Sequence, residues 1–87
     1  MILSLSKTAL SSLERISPPN QKRIIEKLKW FSNSENIFSF AKPIKNTKPI
    51  THRLRIGDYR ALIHYSTKTD TLYIVNIGHR KDIYQKL

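Results

Sequence analysis

The sequence has no cysteine, only two glycines and only six acidic residues among its 87 residues. The lack of cysteine excludes disulfide frameworks and thiolate zinc sites, and it agrees with a reducing compartment. No apolar run approaches the ~18 to 20 residues that a membrane span needs, and the apolar residues 1–5 are too few for a signal-peptide core. We therefore expect a cytoplasmic protein without a membrane partner.

The six acidic residues are outnumbered by 16 lysines and arginines, which gives a formal net charge of +10. Most of the excess lies in residues 42–87, which hold ten basic and three acidic residues, against six and three in residues 1–41. Such a surface attracts polyanions, because neutralising phosphates releases counterions and speeds encounter. The charge therefore predicts a nucleic acid as partner.

The scattered acidic residues argue against a two-metal nuclease, since that chemistry needs clustered carboxylates. The histidines lack acidic or cysteine neighbours at ligand spacing, and no P-loop, GxGxxG or serine-nucleophile motif is present. We therefore expect no metal and no cofactor. The hydrophobic fraction of 39% is too high for a disordered basic tail, and a chain of this size has room for one core, so residues 1–87 should form a single domain.

The first half of the chain predicts a strand followed by a helical hairpin. Residues 1–5 are an apolar run typical of a strand, and apolar residues recur at helical spacing over residues 6–16 and 21–31. The SPPN segment between them is expected to break the helix, because proline lacks the amide donor. The polar, proline-bearing residues 32–50 predict a loop.

From residue 52 the hydrophobic period changes to two, which predicts strands over residues 52–56, 59–65 and 71–77. Turn residues separate them, at Gly57-Asp58 and at residues 68–70, so the three strands should form an antiparallel meander. The predicted layout is β-α-α-β-β-β. It corresponds to an α+β domain with an antiparallel sheet and the N-terminal helical hairpin packed on one face.

The candidate functional residues lie on and after these strands. Arg53 and Arg55 share a strand face, roughly 6.6 Å apart, and their planar guanidinium forks can hold phosphates or stabilise charge that develops on phosphorus. The same alternation is also that of the polar side of an ordinary half-buried sheet, so periodicity alone leaves both roles open. Gly78 is expected to end the third strand in a turn that frees His79 and Arg80 to reach a cleft.

The segments HRLRIGDYRALIHY and TLYIVNIGHRKDIYQ, together with the order of elements, resemble the RelE/ParE superfamily of bacterial and archaeal toxins of toxin–antitoxin systems, over about residues 1–85. The resemblance implies the toxin of a type II system, a ribosome-dependent, metal-free endoribonuclease, or mRNA interferase. Such an enzyme cuts messenger RNA in the ribosomal A site through attack of the RNA 2′-hydroxyl on its own phosphate. By residue matching, it implies a catalytic set of Arg53, Arg55, Arg60, Arg80 and Tyr84.

The resemblance also implies a cognate antitoxin, which we expect to be acidic and partly disordered to suit the +10 charge. Because arginine keeps its proton at neutral pH, neither Arg53 nor Arg55 can act as a general base, and His79 is our hypothesis for that role. Four lysines are predicted to bind RNA: Lys42, Lys45, Lys48 and Lys81. Two alternatives remain open, a ParE-like inhibitor of DNA gyrase without nuclease activity and a non-catalytic RNA-binding module.

Overall fold

The computed structural model describes residues 1–34, 37–39, 41–45 and 47–86, so residues 35, 36, 40 and 46 of the predicted loop lie outside the described part. The elements in chain order are β1 (Ile2–Leu5), α1 (Lys7–Glu14), α2 (Pro18–Ser32), a 3-10 helix (Ile37–Ser39), β2 (Lys42–Pro43), β3 (His52–Ile56), β4 (Tyr59–Ser66), β5 (Thr71–His79) and a second 3-10 helix (Ile83–Lys86). Two helices and a sheet confirm the predicted α+β class.

The sheet has five strands in the order β1-β5-β4-β3-β2. The predicted antiparallel meander of β3, β4 and β5 is confirmed, but the expectation of a wholly antiparallel sheet is wrong because β1 pairs with β5 in parallel. Both helices and strands β2 to β4 lie between β1 and β5 in the chain, which gives the long connection that a parallel pairing requires. The two-residue β2 was not predicted. It pairs Lys42 with Arg53 at the edge of the sheet and is too short to show a periodic pattern.

Both helices begin at identifiable N-terminal signals. The backbone N–H of Ala9 donates to the Ser6 hydroxyl at 3.0 Å, which caps α1. The predicted break between the two helices is confirmed, but the prolines also form the first turn of α2, which starts at Pro18 rather than at residue 21. Proline is tolerated there because the first helical N–H groups have no partner within the helix. Of the helices in the described ranges, none is long and apolar enough to cross a membrane.

The main core lies between the helices and one side of the sheet, which we call the helix face. It contains α1 and α2 residues packed on alternate residues of β3, β4 and β5, namely Ala9, Leu13, Ile24, Leu28, Phe31, Leu54, Ile56, Ala61, Ile63, Leu72, Ile74 and Ile77. A second, small cluster lies on the opposite side, the open face, and consists of Ile50, Leu62 and Ile83 with Ile44 and Val75 beside them. This small cluster attaches the second 3-10 helix to the sheet.

Gly57 and Gly78 have different roles. Gly57 adopts a φ of 59° in the two-residue turn between β3 and β4, a conformation that glycine tolerates without steric cost. Gly78 lies within β5 and not in the turn that the sequence predicted, so that expectation is wrong. A Cβ atom at Gly78 would lie 2.9 Å from Cδ1 of Ile83. The missing side chain therefore lets the second 3-10 helix approach the sheet closely.

Candidate active site

A groove of about 440 Å³ opens on the sheet beside the second 3-10 helix. Because Leu54 and Ile56 point into the core on the helix face, Arg53 and Arg55 of the same strand point to the open face. Seven side chains line this arginine groove: Lys42, Arg53, Arg55, Arg60, Arg80, Lys81 and Tyr84. The lining thus consists of six cationic side chains and one phenol, an arrangement that suits a polyanion.

Arg53 and Tyr84 form a contact across the groove. A guanidinium N–H of Arg53 donates to the Tyr84 hydroxyl at 3.0 Å, and the guanidinium carbon lies 5.5 Å from the centre of the tyrosine ring. Tyr84 follows Ile83, which is fully buried against Gly78 on the open face. Packing of Ile83 therefore sets the position of Tyr84, and the hydrogen bond fixes the direction in which Arg53 extends.

The turn between β3 and β4 positions two further groove residues, Arg60 and Arg80. One guanidinium nitrogen of Arg60 donates to the carbonyl oxygens of Gly57 at 2.9 Å and Tyr59 at 2.8 Å. The backbone N–H of Arg80 donates to the Asp58 carbonyl at 2.8 Å, and its Nε lies 3.8 Å from the Asp58 carboxylate. The Arg80 and Asp58 side chains are 54% and 71% exposed, so this ion pair is weak. Arg60 is held firmly, whereas the Arg80 guanidinium can exchange the carboxylate for another anion.

Arg55 stands directly opposite Arg60 in the register of β3 and β4. Like charges in that position destabilise a sheet, and no hydrogen bond or ion pair of Arg55 occurs within the part of the chain that the structure describes. An anion bound between the two guanidiniums would relieve the repulsion. The pair therefore favours occupation of the groove by phosphate.

Three residues predicted to act at the site lie elsewhere. His79 lies on the helix face, where its ring packs against Tyr59 with the ring centres 5.7 Å apart, and its Nδ1 accepts the backbone N–H of Lys81 at 3.2 Å. Lys45 and Lys48 are exposed but are not among the residues that line the arginine groove. The structure thus brings together all the predicted arginines, Tyr84, Lys42 and Lys81, and it does not bring His79 to them.

Two of the residues that position the site cannot be recognised from the sequence alone. The sequence pattern identifies Asp58 only as a turn residue. Its contact with Arg80 joins the β3–β4 turn to the end of β5, and residues so far apart in the chain cannot be paired from local spacing. Ile83 cannot be recognised as a core residue from the sequence, because a single apolar residue in a polar tail shows no periodic pattern. Its burial depends on the space that Gly78 leaves.

Two ionisable side chains outside the arginine groove have shifted pKa values. Partial burial lowers the pKa of His52, which lies beside the Phe38 ring with the ring centres 5.0 Å apart. A hydrogen bond to the Asp70 carboxylate raises the pKa of Tyr65, with smaller contributions from burial and from the carboxylate charge. Within the described ranges, no three histidine, aspartate or glutamate side chains come together in a way that could hold a metal ion.

Comparison with known proteins gives no match among protein-family models and none among curated proteins. Solved structures do match. The RelBE2 toxin–antitoxin complex from Mycobacterium tuberculosis superposes with a TM-score of 0.78 at 23% identity, over 91% of this chain and 96% of that one.

Two further matches have similar coverage. The RelB–RelE antitoxin–toxin complex from Methanococcus jannaschii gives a TM-score of 0.73 at 27% identity over 97% and 98% of the two chains. The isolated E. coli RelE toxin gives 0.71 at 13% identity over 99% and 98%. Together with the matching order of helices and strands, these superpositions show that the chain has the RelE-like fold of the RelE/ParE superfamily, as its sequence resemblance predicted.

Proposed function

We propose that this chain is the toxin of a type II toxin–antitoxin system and that it cleaves messenger RNA in the ribosomal A site. The observation that carries the proposal is the convergence of four arginines and Tyr84 on one groove. Matches to RelE toxins, several of them in complex with RelB antitoxins, support the toxin role. Such a protein would act in the cytoplasm.

The groove suits in-line cleavage of RNA by its own 2′-hydroxyl. The 2′-oxygen forms a bond to phosphorus while the bond from phosphorus to the 5′-oxygen breaks, which leaves a cyclic 2′,3′-phosphate and a 5′-hydroxyl. The 2′-hydroxyl loses its proton to solvent water, and the departing 5′-oxygen gains one from the Tyr84 hydroxyl. Negative charge grows on the non-bridging oxygens as this happens, and preorganised guanidinium donors stabilise that charge most.

Each groove residue has a role that its contacts suggest. Arg60 is already held by two backbone carbonyls, so it can orient the phosphate without further ordering. Arg80 is tethered only by the weak Asp58 pair and can turn to the phosphate. Tyr84 accepts a hydrogen bond from Arg53, which leaves its own hydroxyl proton to donate to the 5′-oxygen. None of these steps requires a metal ion, because the charge is stabilised by the cations of the groove itself.

The antitoxin is proposed to be an acidic, partly disordered protein. A +10 chain whose groove is lined by six cationic side chains attracts an acidic protein segment as well as RNA. An antitoxin that lies over the groove, or that displaces Tyr84 from Arg53, would block cleavage. A segment that becomes ordered on binding can cover a large surface of so small a protein.

Translation of a reporter messenger with the purified protein tests the proposal, with 5′ ends mapped by primer extension in the presence and absence of EDTA. We expect cuts only when ribosomes are present. Ribosomes need magnesium or a polyamine to stay intact. The EDTA reaction is therefore run with polyamine, on ribosomes that are already stalled on the messenger with the protein bound. Absence of cuts with ribosomes present contradicts the nuclease role, and cuts that vanish on chelation from intact stalled complexes contradict the metal-free mechanism.

The same preparation distinguishes the two alternatives. Inhibition of DNA gyrase supercoiling with the messenger intact would instead indicate a ParE-like toxin. Steeply salt-dependent RNA binding without cleavage or toxicity would indicate a binding module.

A further inference from the structure

A pair of stacked rings lies on the open face, away from the arginine groove. His64 of β4 and Tyr73 of β5 are direct cross-strand partners, and their ring centres are 6.0 Å apart with 29° between the planes. The neighbours Ile63 and Ile74 point into the core on the helix face, so the two rings point the other way. Tyr73 is 40% exposed, which leaves part of its ring accessible to a ligand.

The chain segment that joins the groove to this pair carries three lysines. Lys42 lines the groove, Lys45 and Lys48 are exposed further along the same segment, and the next residue, Pro49, accepts a hydrogen bond from Nδ1 of His64 at 2.6 Å. The segment is held on the open face because Ile44 and Ile50 pack in the small cluster with Leu62. Lys45 and Lys48 are not among the groove residues, but they lie on the chain segment that runs from Lys42 of the groove to Pro49 beside the rings.

This combination is the one that proteins use to hold single-stranded nucleic acid. Cationic side chains follow the phosphates, and an exposed aromatic ring stacks on a base whatever its sequence. Arg60 and His64 are four residues apart on β4, about 13 Å along the strand, so the two places can be reached by one RNA strand. Cross-strand stacking by itself accounts for the ring pair but not for the lysines that lead to it.

We propose that Tyr73, supported by His64, is a second subsite for the messenger strand whose scissile phosphate lies in the arginine groove. A base outside the cleavage position stacks on Tyr73, while Lys45 and Lys48 contact the intervening phosphates. The inference rests on the proposed function, since it takes the groove to hold RNA. It adds that the protein binds several nucleotides beyond the cleaved step.

The test measures binding of fluorescein-labelled, fully 2′-O-methylated RNA to the full-length protein by anisotropy. Methylation removes the attacking hydroxyl, so binding is separated from cleavage. A 10-nucleotide RNA should bind more tightly than a 3-nucleotide RNA. Tyr73→Ala should weaken binding of the long RNA about 5- to 150-fold and leave the short RNA unaffected, whereas Tyr73→Phe should behave as the unchanged protein.

Charge and stacking can be separated in the same assay. Replacing both Lys45 and Lys48 by alanine should lower the slope of log affinity against log salt by about 0.7 for each lost phosphate contact, while Tyr73→Ala should not change the slope. Phe38→Ala is the matched control, because Phe38 is an exposed ring (50%) that contacts His52 and Tyr65 away from the groove and should have no effect. If Tyr73→Ala fails to fold, Tyr73→Leu is used instead. Leucine keeps an apolar side chain on the strand and should show the same loss of affinity for the long RNA.

Equal binding of the long RNA by Tyr73→Ala and the unchanged protein overturns the subsite, and so does an equal loss for both RNA lengths. If Tyr73→Ala weakens binding of an acidic antitoxin but leaves RNA binding unchanged, the rings belong to the antitoxin interface, and the RNA subsite is also overturned. Cleavage on ribosomes is a separate measurement. If the messenger is cut normally but RNA affinity does not depend on RNA length, only this inference fails. If RNA affinity depends on RNA length but the messenger is not cut, only the nuclease proposal fails.

Discussion

The substitution Gly78→Ala tests whether the contact between Gly78 and Ile83 holds Tyr84 at the groove. The added Cβ would lie 2.9 Å from Cδ1 and 3.4 Å from Cβ of Ile83, and a Cβ essentially never comes as near to another heavy atom as the first distance. Ile83 is 0% exposed, so the clash is relieved by turning its side chain in a packed site or by lifting the 3-10 helix. Overpacking of this kind costs about 1 to 3 kcal/mol of unfolding free energy.

A lifted helix also moves Tyr84 away from Arg53, where the hydrogen bond is 3.0 Å. We expect the cleavage rate of Gly78→Ala to fall towards the ~10²-fold loss typical of removing an acid–base group, with the fold retained. Urea unfolding measures the stability and primer extension measures the cleavage. Normal cleavage by a protein whose stability has fallen would show that Ile83 packing does not position Tyr84.

Ile83→Val supplies the matched control because it removes Cδ1, the atom nearest to the added Cβ. Alone it should cost about 0.5 to 1.5 kcal/mol. Combined with Gly78→Ala it should cost less than the sum of the two single changes, with a coupling free energy of roughly 0.5 to 3 kcal/mol. Strict additivity would refute the proposed clash.

Four other substitutions give distinct outcomes. Arg80→Ala and Tyr84→Phe should each lower cleavage by at least ~10²-fold while the melting temperature barely moves, and a collapse of melting temperature would assign them to the core. His79→Gln should lower cleavage by far less than that ~10²-fold, since His79 lies on the helix face. Because burial lowers the pKa of His52, unfolding free energy should fall as pH drops below ~6.5, and His52→Gln should flatten that dependence in urea titrations.

The strands of the second half could be predicted closely because their pattern is local. Apolar and basic residues alternate through β3, and its predicted bounds are those observed. The parallel pairing of β1 with β5 could not be predicted in the same way, since nothing in a four-residue apolar run specifies which distant strand it joins. The prolines at the start of α2 were misplaced because the same residue breaks a helix interior and suits a helix start.

For the site, the shared face of Arg53 and Arg55 follows from strand alternation, and their register with Arg60 follows from the two-residue turn. The position of His79 does not follow from the sequence, because a glycine at position 78 predicts that the strand ends there. β5 continues through His79, so the alternation that buries Ile77 on the helix face returns His79 to that face. An error of two residues in a strand boundary therefore changed the face on which a candidate base was expected.

The position of β5 between β1 and β4 has a consequence for synthesis of the protein. Among the described strands β1 pairs only with Thr71–His79, the last of them to be made, so the sheet cannot be completed while most of the chain is still being synthesised. Pairings between such distant segments form late and slowly. Arg80 and Tyr84 follow β5, so a partly synthesised chain has no finished groove. Any activity that depends on this groove therefore begins only after Tyr84 has been added to the chain.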